Sequence, residues 1–96
     1  MTVAKNSIRA SCLEEKHMIS ILLYLGIHGP SRKIDIYQAV STNPRMPMKL
    51  DKLESLGLIN QDFDDGLRST VVTLTPAGRE IMEHLSAIES VLHSVQ

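Results

Sequence analysis

The chain has 96 residues, enough for one domain with one core but too few for a catalytic domain with a roomy cleft beside a separate binding module. Apolar residues make up 43% of it, which calls for a packed fold. The aromatics are only Tyr24, Tyr37 and Phe63, which argues against a surface that stacks RNA or single-stranded bases. Net charge is −1, yet residues 1–49 carry seven Lys or Arg against three acids and residues 50–96 carry three against eight, so a basic front half is joined to an acidic back half. The single Cys12 excludes an intramolecular disulfide and, with no signal-peptide pattern, points to the reducing cytoplasm. The longest apolar run, Ile21 to Leu25, is too short to cross a bilayer.

Residues 1–11 lack sustained periodicity and read as a flexible arm from which Lys5 and Arg9 can brush phosphates. The first strong helix is expected over residues 13–27, with Glu14 and Glu15 in its first turn. Met18, Ile21, Leu22 and Leu25 form its apolar stripe, widened by Ile19 and Leu23; Gly26 and Gly29-Pro30 end it. Ser31 can cap a second helix over residues 32–40, with Ile34, Tyr37 and Val40 inward, and a short extended piece at residues 29–31 can pair with later strands. Ser41-Thr42-Asn43-Pro44 is a turn. A third helix should begin between Pro44 and Pro47 and end at Gly57, a good left-handed terminator. Residues 58–64 and 67–74 read as strands around a tight Asp65-Gly66 turn. Thr75-Pro76 then opens a last helix, as cap and first helical residue, running to about residue 95.

The order is helix, helix, helix, hairpin, helix. Residues 31–56 resemble a helix-turn-helix. Leu53-Glu54-Ser55-Leu56-Gly57-Leu58-Ile59 resembles the L-x-x-L-G-L-I end of a recognition helix entering a wing. Leu74-Thr75-Pro76-Ala77-Gly78-Arg79 resembles the L-T-P-x-G-R segment that follows the wing. Both are frequent in winged helix-turn-helix regulators of the MarR and PadR kind, including small archaeal ones, and the resemblance covers roughly residues 13–95. It implies an α+β, mostly α fold: three helices, a two-stranded wing hairpin, with or without a short third strand, and a long C-terminal helix. Residues 12–75 would be the DNA-binding domain and residues 76–96 a dimerisation helix packed on it. The implied function is a dimeric transcriptional regulator of double-stranded DNA, not an enzyme. The alternative is a protein-interaction module of transcription or chromosome machinery, since winged helices serve both ends.

On a helix over residues 45–56, Met46, Leu50 and Leu53 cluster on one side, whereas Arg45, Lys49 and Lys52 fall within an arc of about 60° on another. One stripe anchors and one meets DNA, as a recognition helix requires. Arg45, nearest the helix start, is best placed for a base edge; Lys49 and Lys52 suit phosphates, and Met48 can touch a thymine methyl. Arg32, Lys33, Thr42 and Asn43, at the ends of the second helix, are further candidates for phosphate. Arg68 is the one cation on a wing tip that also carries Asp62, Asp64 and Asp65, so wing contact should be weak. In the last helix Ile81, Leu85, Ile88, Leu92 and Val95 form a heptad-like seam suited to a second copy. A small-molecule effector between the first and last helices fits such a dimer, but no residue names one. His17, His28, His84 and His93 show no metal-ligand spacing, and CxxC, HExxH, GxGxxG, Walker and GxSxG patterns are missing, so no metal, cofactor or catalytic site is expected.

Overall fold

The structure is a computed structural model and describes residues 9–95; Lys5 and the arm before residue 9 lie outside the described residues. A 3-10 turn (Arg9–Glu14) precedes α1 (Met18–His28), β1 (Ser31–Arg32), α2 (Lys33–Ala39), α3 (Met46–Ser55), β2 (Ile59–Asp64), β3 (Ser69–Leu74) and α4 (Pro76–Ser94). The strands form one antiparallel sheet in the order β1-β3-β2, with Ile59 opposite Leu74, Asp64 opposite Ser69 and Ser31 opposite Val72. The fold is therefore mostly helical, with a β2–β3 wing, a short third strand and a long last helix.

Apolar spacing sets where each helix docks. Met18, Ile21, Leu22 and Leu25 of α1, and Met46, Leu50 and Leu53 of α3, are all buried, and with Ile36, Leu58, Ile59, Val72 and Leu85 they make one core. Tyr24 and Tyr37 pack against its edge as half-buried residues, and Phe63 is exposed, so aliphatic side chains fill the centre.

Both sequence motifs have a direct physical meaning. At the end of α3, Gly57 takes φ 80°, its N–H donates to Glu54 O (2.9 Å) and the Leu58 N–H donates to Leu53 O (3.1 Å). That is the Schellman termination, in which a left-handed residue turns the last carbonyls inward, and the buried Leu53 and Leu58 supply its apolar contact. The start of α4 is then latched to the same corner. The Thr75 N–H donates to Leu58 O (3.0 Å), the Thr75 hydroxyl donates to Gly57 O (2.6 Å), and Thr75 Oγ1 accepts the Gly78 N–H (3.0 Å). A Cβ on Gly78 would run into the Leu58 carbonyl, 2.8 Å from its carbon, so only glycine permits this approach.

Four local expectations are corrected. The first helix does not run unbroken from residue 13: His17 sits at φ 75°, which no right-handed helix can contain, so Glu14 and Glu15 lie ahead of α1. In α2, Ile36 rather than Ile34 is buried; Ile34 is 46% exposed, and Ser31 lies in β1 with its hydroxyl donating to Gly29 O (2.8 Å) instead of capping the helix. The hairpin turn is wider than Asp65-Gly66. It spans residues 65–68 with Arg68 at φ 50°, and Asp64 Oδ1 accepts the Leu67 N–H (2.9 Å). In α4 the buried residues are Gly78, Met82 and Leu85, because Met82 packs across Gly26 of α1.

Candidate nucleic-acid interface

The turn before α3 is built by side chains. Asn43 Oδ1 accepts the Arg45 N–H (2.8 Å), and the Asn43 N–H donates to Ser41 Oγ (3.1 Å). Pro47 stands in the first turn of α3, where its missing N–H costs nothing. Asn43 is thus occupied in ordering the entry to α3, while Thr42 is exposed beside it. With Met46, Leu50 and Leu53 buried, the opposite side of α3 faces solvent, and Met48 there is 69% exposed. Arg45 at the helix start is exposed, and among the described residues it makes no ion pair with an acid.

The two lysines of the stripe are brought together, but on a carboxylate. Lys52 Nζ donates to Glu15 Oε1 (2.8 Å) and Lys49 Nζ lies 3.5 Å from Glu15 Oε2. The Lys49 side chain is only 11% exposed, its stem laid against the body, whereas half of the Lys52 side chain is open. The hydrogen bond from Lys52 holds the Glu15 carboxyl below the usual carboxylate range, and Glu15 in turn pushes Lys52 up. On the other flank of α3, Gln61 of β2 ties the helix to the wing. Its Nε2 donates to Asp51 Oδ1 and Glu54 Oε1 (both 3.0 Å), and its backbone N–H donates to Glu54 Oε2 (3.0 Å). The acids of α3 therefore serve the wing junction, and its exposed ridge runs from Arg45 through Met48 to Lys52.

The remaining cations are dispersed. Arg32 forms a two-pronged pair with Asp35, Nε to Oδ2 and Nη2 to Oδ1 at 2.9 Å each, so its fork is filled from within α2. That pair raises the Arg32 pKa and lowers the Asp35 pKa. It lies beside Asp64 and Leu67 of the wing in a shallow cleft. Lys33 is half-buried at the start of α2, and Arg68 is exposed on the wing turn among acids. Neither Glu15 nor Gln61 is legible as an interface residue by spacing, since Glu15 lies 37 positions from Lys52.

Along α4, Leu85 is buried and Ile81 half-buried, while Ile88, Leu92 and Val95 are exposed, joined by Val91. Among the described residues no helix is long and apolar enough to cross a membrane, and no group of His, Cys, Asp and Glu is gathered as metal ligands.

No family model matches the chain, and no curated protein matches it. Solved structures do. MepR, a transcription regulator of the Staphylococcus aureus multidrug efflux pump MepA, superposes with a TM-score of 0.69 at 27% identity over 84% of this chain and 64% of that chain. Reduced AbfR bound to DNA gives 0.65 at 25% identity over 84% and 65%. A MarR-family transcriptional regulator from Silicibacter pomeroyi gives 0.72 at 25% identity over 92% and 65%. The chain thus spans slightly less than two thirds of the length of each of these proteins. Its fold is that of the winged-helix MarR regulators.

Proposed function

We propose that the chain is a transcription regulator that binds double-stranded DNA as a homodimer and lays α3 in the major groove. The observation that carries this is the exposed ridge of Arg45, Met48 and Lys52 on a helix whose other side is locked into the core. A helix held in that way can enter the groove without unfolding anything. The likeness to AbfR, solved on DNA, supports the reading. Arg45 reads a base edge, Lys49 and Lys52 meet phosphates, and Met48 lies against the groove floor. Lys33 and Thr42 add backbone contacts, whereas Arg32 and Asn43 are committed first to Asp35 and to the α3 turn. Arg68 offers the wing its one phosphate contact. The dimer joins through the exposed far end of α4, and the protein works in the cytoplasm with Cys12 free. An open groove of about 690 Å³ between the 3-10 turn, Leu56, Leu58 and α4, lined by Leu13, Ile81 and Leu85 and also by Arg9, Cys12 and His84, has room for a small-molecule effector.

The test is retention of labelled duplex DNA across a salt series. The wild type should bind, with affinity falling steeply as salt rises. Arg45→Ala combined with Lys52→Ala should lose roughly tenfold to hundredfold in affinity, from one base contact and one phosphate contact. A double variant that binds as the wild type does would exclude α3 as the reader. A protein-interaction role is the second reading, favoured by Phe63, 64% exposed on a wing beside Asp62, Asp64 and Asp65. It would gain if a stoichiometric protein partner were recovered while duplex affinity ignored the α3 variant.

A further inference from the structure

We infer that Glu15 is an internal competitor of the DNA backbone, holding Lys49 and Lys52 on its carboxylate until phosphates take its place. The inference rests on the DNA-binding reading above. Both lysines converge on the two oxygens of one side chain, Oε1 for Lys52 at 2.8 Å and Oε2 for Lys49 at 3.5 Å. Glu15 comes from the loop between the 3-10 turn and α1, the only described segment that reaches across to this flank of α3 with an acid paired to either lysine. A phosphate approaching Lys52 meets a cation already neutralised and a carboxylate within contact distance of it. Binding must then break the pair or bring two anions together, and either weakens the grip.

The consequence is a lower affinity and a shallower salt dependence than Arg45, Lys49 and Lys52 would give without the carboxylate. Each phosphate neutralised steepens the fall of log affinity with log salt by about 0.9. An anion uncovered in the same step takes up a counterion and offsets part of that. The same residue would also favour sites where phosphates press closely on α3, because only these outcompete it.

The experiment compares Glu15→Gln with the wild type, using a duplex recovered by selection from random sequences and a salt series from about 50 to 200 mM, the span over which phosphate contacts make affinity collapse. Glu83→Gln, on the exposed far side of α4, controls for the loss of one negative charge. Thermal unfolding of each protein checks that the fold is intact. Glu15→Gln should bind about threefold to tenfold more tightly at low salt, with a salt slope steeper by about one unit, and Glu83→Gln should change neither beyond twofold. Glu15→Asp, one methylene shorter and still charged, should fall between. Weaker binding by folded Glu15→Gln would overturn the inference, making Glu15 a support for the lysines. So would an effect equal to that of Glu83→Gln. A wild-type chain that retains no duplex would instead overturn the DNA-binding reading, and this inference with it.

Discussion

Gly78→Ala is expected to unfold most of the protein at temperatures where the wild type is stable. The new methyl group would meet the Leu58 carbonyl, a backbone group that cannot rotate aside. Relief requires α4 to move off the α3–β2 corner. That movement strains the Thr75 bonds to Leu58 O and Gly57 O, and the Gly78 bond to Thr75 Oγ1. It also loosens Leu58 and Leu85 from the core. Overpacking typically costs 1–3 kcal/mol, and loss of the latch adds to it, so about 3–4 kcal/mol is expected, a large share of the 5–15 kcal/mol of an ordinary domain. In a thermal melt this is a fall of roughly 15 °C or more. Gly66→Ala, which meets only the exposed Asp64 side chain, should change the midpoint by no more than a few degrees. Equal melting of the two variants would contradict the latch.

The second large effect concerns the proposed dimer. Ile88→Glu combined with Leu92→Glu should halve the mass in solution, leave each chain folded and lower duplex affinity by a hundredfold or more. Ile88 and Leu92 are 55% and 49% exposed, so the core of a single chain does not depend on them. The 19 residues of α4 make a rod about 28 Å long. Its buried residues, Gly78, Met82 and Leu85, stop about halfway, while Ile88, Val91, Leu92 and Val95 carry the apolar side onward into solvent. A row of this kind is the usual mark of an interface. Two linked recognition helices gain a factor of 10²–10⁴ over one by acting at high effective concentration, and charge on the seam removes that gain. A double variant that keeps both its mass and its affinity would place the dimer contact elsewhere.

The fold was legible wherever the deciding interaction is local. Thr75-Pro76, Gly57 after Leu56 and the apolar spacing of α3 each act within one or two turns, and each sits in the structure as the sequence implies. Tertiary competition hid the rest. The short α2 offers both Ile34 and Ile36 as an inner residue, and packing against β1 and β3, not periodicity, selects Ile36. The left-handed His17 carries no sequence signature, so the break before α1 was invisible. Met82, which spacing did not single out, is buried near the start of α4 beside Leu85 because Gly26, far off in sequence, leaves space for it. In the candidate site the buried side of α3 was readable from residue type, but Lys49, expected in the open stripe with Arg45 and Lys52, is only 11% exposed because it sits next to the anchoring side of the helix. What the cations touch was not: Glu15 and Asp35 occupy Lys49, Lys52 and Arg32, and only Asp35 lies close in sequence to its partner.

The most direct measurement is photo-cross-linking to duplex DNA from a benzophenone side chain placed at position 48, compared with the same group at position 83 on the outer face of α4. Cross-links to bases are expected from position 48, competed by unlabelled target duplex, and none from position 83. Cross-links from position 83 with silence at position 48 would show that DNA lies on another face and that α3 is not the reading helix.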